Sequence, residues 1–155
     1  MSILAVYSAD DLFCPRRVLT HEQDIQTELA AAGLMLMAAD VPPAVGEQQR
    51  HERRGAPAYE QPEERVETSE VFTCGALERR IERGRVRLCL QGEEAVLLLA
   101  LRAGDRLRLP AGLPQCMLPT PGEACSWEDT ADTAEALAYA PVAECALVNL
   151  VPLEV

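Results

Sequence analysis

Two histidines (His21 and His51), six cysteines and fourteen basic residues, all of them arginine, hold most of the chemical potential of this chain. Two imidazoles are too few for a histidine-rich metal site. The cysteines Cys14, Cys74, Cys89, Cys116, Cys125 and Cys145 include no CxxC pair, so the spacing of a zinc or redox motif is missing. They read as small buried hydrophobes; a reactive thiolate would need a cation or base beside it, and no histidine is near in sequence. The absence of lysine removes Schiff-base chemistry and the lysine of a phosphate loop. Every cation is therefore a guanidinium, permanently charged and shaped to grip carboxylates and phosphates in pairs.

Eight of the arginines fall within residues 79–108 against four acids, which makes that segment +4 in a chain of net charge −11. Arg85 and Arg87 alternate with Val86, Leu88 and Leu90, and Arg106 and Arg108 alternate with Leu107 and Leu109. A period of two places the four arginines on one face of their strands. One reading is a solvated outer face, with the arginines paired to glutamates such as Glu82, Glu93 and Glu94. The other is a surface for an anionic ligand or an acidic partner. Nucleic acid is not an expected partner, because the whole chain is acidic and aromatic residues for base stacking make up only 4%. His51 lies in the charged run QQRHERR and reads as part of a solvated cluster. His21 reads as exposed, next to a helix start, and Trp127 as core cover in an acidic loop or single helical turn at residues 123–135.

The elements that must position these groups follow from patterning. The chain has 155 residues and is 48% hydrophobic, enough for one domain over residues 1–155 to bury its own core. Residues 2–7 read as a strand. Thr20 as N-cap, with Gln23 closing a capping box, opens a helix whose stripe is Ile25, Leu29 and Leu34 and which Gly33 stops. Residues 34–39 are a short apolar run that suits a strand. Residues 40–66, rich in Pro, Gly, Glu, Arg and Gln, read as a mobile loop. Beyond them the chain reads as strands: Val66, Thr68 and residues 71–73; residues 79–87; 85–90; the unbroken apolar run 95–101; 106–109; 116–118; and 145–151. Short strands joined by Gly-containing turns suggest a sandwich or a small barrel. The apolar N-terminus meets Asp10, Asp11, Arg16 and Arg17 too soon for a signal-peptide core or a membrane span, so the expected location is the cytoplasm.

Residues Gly104-Asp105-Arg106-Leu107-Arg108-Leu109-Pro110-Ala111-Gly112-Leu113-Pro114-Gln115 resemble the second cupin motif, GDxxxxPxGxxH, with Gln115 in place of the histidine. The strand SILAVY, a loop and the helix THEQDIQTELAAAGL resemble the opening segment of acireductone dioxygenases, which are cupins of methionine salvage. The resemblance covers about two thirds of the chain. It implies a mainly β fold, a cupin-like small β-barrel (double-stranded β-helix) with an N-terminal strand and one helix, and often a dimer. It also implies an iron or nickel ion held by an HxHxxxE run and the second-motif histidine. Carried back along this chain, the first motif falls on Glu70, Phe72 and Ala76, or two residues on at Phe72, Cys74 and Glu78. Neither register supplies an imidazole, and Glu70, or Glu78 with Cys74 and Gln115, is an ill-matched set for Fe(II).

The expectation is a metal-free cupin-like binding or regulatory protein, a non-catalytic relative of acireductone dioxygenase without a cofactor. Its pocket would be lined by Phe72, Cys74, Gln115 and Met117. The expected partners are a small-molecule ligand and a second copy of the chain, with no nucleic acid and no membrane. The alternatives are a dioxygenase of this kind using Fe or Ni on non-standard ligands drawn from Glu70, Glu78, Cys74 and Gln115, or a metal-free cupin enzyme. A third is a protein-interaction subunit using the arginine face.

Overall fold

The computed structural model describes residues 2–57, 64–67 and 70–155. Its strands are β1 (Ile3–Ser8), β2 (Arg17–Leu19), β3 (Met35–Leu36), β4 (Glu47–Arg54), β5 (Phe72–Thr73), β6 (Leu77–Arg83), β7 (Arg85–Gln91), β8 (Ala95–Arg102), β9 (Arg106–Leu109), β10 (Gln115–Pro119), β11 (Ala124–Ala131) and β12 (Ala140–Pro141). Among the described residues there is one α-helix, α1 (Glu22–Ala31). The strands form two antiparallel sheets, ordered β12-β5-β10-β7-β8-β1-β2 and β3-β9-β6-β11-β4. No helix of the described residues is long and apolar enough to cross a membrane.

Alternation along the strands of the seven-stranded sheet divides the core into two layers. Leu4, Val6, Leu88, Leu90, Leu97, Leu99 and Met117 point between the sheets, where they meet Leu77, Ile81, Leu107 and Trp127 of the five-stranded sheet. Ala5, Tyr7, Cys89, Leu98, Cys116 and Leu118 point the other way, under Leu147 and Leu150 of the C-terminal segment. With both faces covered, β8 has no polar side to show, hence its unbroken apolar run. The Tyr7 hydroxyl donates to the Val151 carbonyl at 3.0 Å and fastens the cover. Within the cover, residues 146–149 form a 3-10 turn rather than the expected strand.

The GDxxxxPxG segment is a pair of tight turns around β9. Gly104 and Gly112 adopt φ of +99° and +83°, conformations open to glycine at no steric cost. The Asp105 carboxylate accepts from the Arg102 backbone N–H at 2.9 Å and closes the first turn. Helix α1 begins one residue later than the capping pattern suggests. His21 is the N-cap, and the first helical bond runs from Ile25 N–H to the His21 carbonyl. Gly33, at φ +83°, ends the helix as expected, with Leu34 N–H bonded to Leu29 and Gly33 N–H to Ala30. This is the Schellman pattern, and its apolar partners Leu29 and Leu34 enter the core.

Three further expectations are overturned. Residues 40–66 are not simply a loop, because Glu47–Arg54 forms β4 and pairs with β11 over eight residues. Its polar composition suits a strand at the edge of a sheet, where charges on an open edge discourage further pairing. Trp127 lies on strand β11 rather than in a loop or helical turn. The strand read across residues 66–73 is reduced to Phe72–Thr73; Thr68 lies outside the described residues, as does part of the 40–66 stretch.

Candidate functional site

The site grows from two facing strands. On β6, Leu77, Arg79 and Ile81 point into the core, and on β11 Cys125, Trp127, Asp129 and Ala131 do the same. The register sets Arg79 directly opposite Asp129, so an acid and a base meet in the middle of two apolar stripes. Both are fully buried. The Arg79 guanidinium grips the carboxylate in bidentate fashion, Nε to Oδ1 at 2.8 Å and Nη2 to Oδ2 at 3.2 Å. Its remaining arm donates from Nη1 to Gln115 Oε1 at 2.6 Å, and Nη2 also reaches the Tyr139 hydroxyl at 3.1 Å. Tyr139 donates a short hydrogen bond to Asp129 and accepts one from Trp127 Nε1 at 2.9 Å. Gln115 Nε2 turns to Cys74 Sγ at 3.5 Å.

Burial alone would discharge Arg79, but the Asp129 carboxylate and Tyr139 beside it outweigh that cost and hold its pKa above the ordinary value. Burial pushes the Cys74 thiol up despite the nearby guanidinium, so it stays protonated and is no nucleophile at neutral pH. Burial likewise raises the Tyr139 phenol and keeps it a hydrogen-bond donor.

A cavity of about 390 Å³ opens beside this network, lined by His51, Glu52, Arg53, Glu70, Phe72, Met117, Trp127 and Tyr139. Its walls form a stack. Phe72 lies 3.9 Å from Tyr139 at 9°, His51 lies 4.4 Å from Tyr139 at 6°, and His51 lies 5.5 Å from Trp127 at 18°. His51 arrives there because β4 pairs it directly opposite Trp127. The solvated role expected of His51 is thus corrected, and its neighbour on the same face, Arg53, binds Glu70 at 2.9 Å and the Met117 carbonyl at 2.7 Å.

Burial lowers the pKa of His51 below its ordinary 6.5 and prevails over the opposite pull of Asp129, 3.9 Å away. As pH falls through about 6.5 the unfolded chain therefore takes up this proton before the folded chain does. Its contribution to stability is complete above about pH 6.5 and is lost as pH falls below that value. The urea midpoint will fall between about pH 7.5 and about pH 5.5, and the fall will be smaller in His51→Phe, which keeps the stack but cannot titrate. Equal falls in the two proteins would remove this role.

Of the four residues expected to line a pocket, Phe72 and Met117 border the cavity, whereas Cys74 and Gln115 lie buried at the network behind it. The four arginines are not brought together. Arg85 and Arg87 belong to one sheet, Arg106 and Arg108 to the other. Arg87 is buried under Glu64, 2.8 Å away, and bonded to the Pro119 carbonyl at 3.2 Å. Arg106 is buried by the Ala38 and Val41 carbonyls at 3.0 and 2.6 Å. Arg85 is exposed and pairs with Glu123 at 2.8 Å, not with Glu93 or Glu94, and Arg108 is exposed. The alternation was visible in sequence, but the segments that cover two of the four guanidiniums were not. Arg79, Asp129 and Tyr139 were missed altogether. The signal available was a charge in the centre of each of two apolar stripes, Leu77-x-Arg79-x-Ile81 and Trp127-x-Asp129-x-Ala131.

These residues do not fit the metal ion that the resemblance implies. The oxygen of Gln115, at the second-motif histidine position, is committed to Arg79. The buried guanidinium there would repel a second cation. Phe72 has no donor atom, and Cys74 keeps its proton. Glu78 neighbours Arg79 on the strand and so points to the opposite side, where it accepts from the Ala44 N–H at 3.2 Å. Among the described residues no three His, Cys, Asp or Glu side chains are grouped to hold a metal ion.

No protein-family model matches the chain, and no curated protein does. Among solved structures it is similar to acireductone dioxygenase from Bacillus anthracis with a cadmium ion in its active centre. The TM-score is 0.63 at 10% identity, over 90% of this chain and 97% of the other. At that identity the likeness establishes a shared architecture alone, a cupin-like fold with two antiparallel sheets and one α-helix among the described residues.

Proposed function

We propose that this protein is a metal-free, cupin-like binding or regulatory protein, a non-catalytic relative of acireductone dioxygenase. Its two sheets would close as a double-stranded β-helix barrel, and its ligand would enter the cavity beside Tyr139. The observation that carries the proposal is the Arg79 guanidinium on Gln115. By the motif resemblance Gln115 stands at the metal-binding histidine, and the bond of its oxygen to a fixed protein cation supports a site without metal. The Asp129 carboxylate, bidentate to that cation, is satisfied without an ion. A cytoplasmic dimer would accord with the family resemblance.

The test is metal analysis of the purified protein, followed by oxygen-uptake assays on an acireductone with added Fe(II) or Ni(II). The expected result is substoichiometric metal and no metal-dependent turnover. Stoichiometric metal with turnover would sink the proposal in favour of a dioxygenase on unusual ligands.

A further inference from the structure

Another cavity, of about 270 Å³, opens where the last residues of β4 and β6 flank the first residues of β11, and Glu52, Arg53, Arg54, Arg83 and Ser126 border it. A β-bulge shapes it. From Thr130 to Trp127 the register of β11 on β6 is unbroken, with Trp127 facing Ile81, and its continuation would set Glu82 opposite Ser126. Instead Glu82 is the extra residue, and Arg83 stands opposite Ser126. The bulge thus exchanges an acid for a base at that position, and Glu82 turns to Arg50, 3.3 Å away. From the other side of β11, β4 sets Arg54 opposite Ala124.

The charges around this cavity do not cancel. Arg53 is committed to Glu70 and the Met117 carbonyl, and Glu52 has Arg50 3.8 Å away. Glu123, next to Ala124 in the chain, holds Arg85 through both its oxygens, at 2.8 and 3.2 Å. Arg54 and Arg83 are left over. Both are exposed, and among the described residues neither has an acid partner. Arg54 makes one long bond, from Nη2 to the Gly122 carbonyl at 3.4 Å, and Arg83 makes no side-chain bond among the described residues. A guanidinium carries five N–H donors, so both keep donors free for a ligand. In a chain of net charge −11, two uncompensated guanidiniums bordering one concavity are a local reversal of sign that draws in an anion.

We propose that this cavity binds the phosphate group of a small phosphate monoester, held between Arg54 and Arg83. A carboxylate has two oxygens and is filled by a single guanidinium, as Glu123 is by Arg85. A phosphate monoester carries a charge of about −1.5 to −2 and three acceptor oxygens at neutral pH, which matches two guanidiniums arriving from opposite sides of β11. The volume of about 270 Å³ is below that of a pocket for a whole drug-sized ligand, so it takes the phosphate and leaves the rest of the molecule toward solvent. The proposal does not rest on the metal-free reading, since neither arginine belongs to the expected metal-ligand positions and Arg79 plays no part in it.

Full-length protein is titrated with glycerol phosphate by calorimetry, with phosphorus NMR on the same samples and acetate as the singly charged comparison. Saturable binding with a Kd of about 1 mM or tighter is expected, weakened about tenfold in Arg54→Gln and in Arg83→Gln. Acetate should bind more weakly than the ester. Arg108→Gln removes an exposed arginine of β9 outside this cavity and should leave the affinity unchanged. Absence of saturable binding to the wild-type protein overturns the proposal. So do undiminished binding in both site variants, an equal loss in Arg108→Gln, and acetate binding as tight as that of the ester. The wild-type comparison of ester with acetate decides the matter even if a variant fails to fold.

Discussion

Replacing Arg79 with alanine will lower the free energy of unfolding by about 3–5 kcal/mol, the cost of stranding a buried charge. Asp129 is fully buried, and the guanidinium bonds both its oxygens, leaving only the Tyr139 hydroxyl on Oδ2 once it is removed. Removing the guanidinium also takes the partner from Gln115 Oε1 and one of those of the Tyr139 hydroxyl. Urea denaturation measures the loss. The double variant Arg79→Met with Asp129→Leu removes both charges and leaves apolar volume between Leu77, Ile81, Trp127 and Ala131, so it should recover most of the stability. A single variant within about 1 kcal/mol of wild type would show that water reaches the pair, and the closed network would then be wrong.

Gly84→Ala is the second large effect. Gly84 joins β6 of one sheet to β7 of the other, at φ +77°. A Cβ built there lies 2.2 Å from the Ala124 carbonyl oxygen and 3.1 Å from Cys125 Cα. Those are backbone atoms, so no rotamer change relieves the clash, and β11, which carries Trp127 and Asp129, must shift. The expected loss is about 3 kcal/mol or more, a fall of about 10 °C in Tm. Gly112→Ala separates the causes. Gly112 has φ +83° with no atom of the described residues within 4 Å of the added Cβ, so it carries only the left-handed strain, about 1–2 kcal/mol. Equal losses in the two variants would rule out the backbone clash.

Local rules read correctly wherever a residue's role depends on its neighbours along the chain. Gly33 stops α1, Gly104 and Gly112 turn the chain around β9, and the unbroken apolar run of β8 is a strand covered on both faces. Reading failed where backbone pairing joined distant segments. Composition spoke against a strand at Glu47–Arg54, yet eight residue pairs with β11 hold it, and that pairing alone sets His51 against Trp127 and Tyr139. Arg87 and Arg106 alternate with apolar residues as any exposed strand arginine would. Their burial comes from Glu64 and from the Ala38 and Val41 carbonyls, which lie on other segments of the chain.

By itself the sequence determined the mainly β class, the helix and its glycine stop, the turns of the GDxxxxPxG segment, and a deficit of imidazole that no folding can repair. Those depend on residue type and on periods of two or about four positions, which act over a few ångströms along one chain. Tertiary structure alone decided that Arg79 faces Asp129, that Gln115 receives the cation's remaining arm, and that His51 leaves solvent for an aromatic stack. Register is the physical reason. A slip of one residue between β6 and β11 would turn Arg79 or Asp129 to the other face, and its cost is felt only once the core has formed.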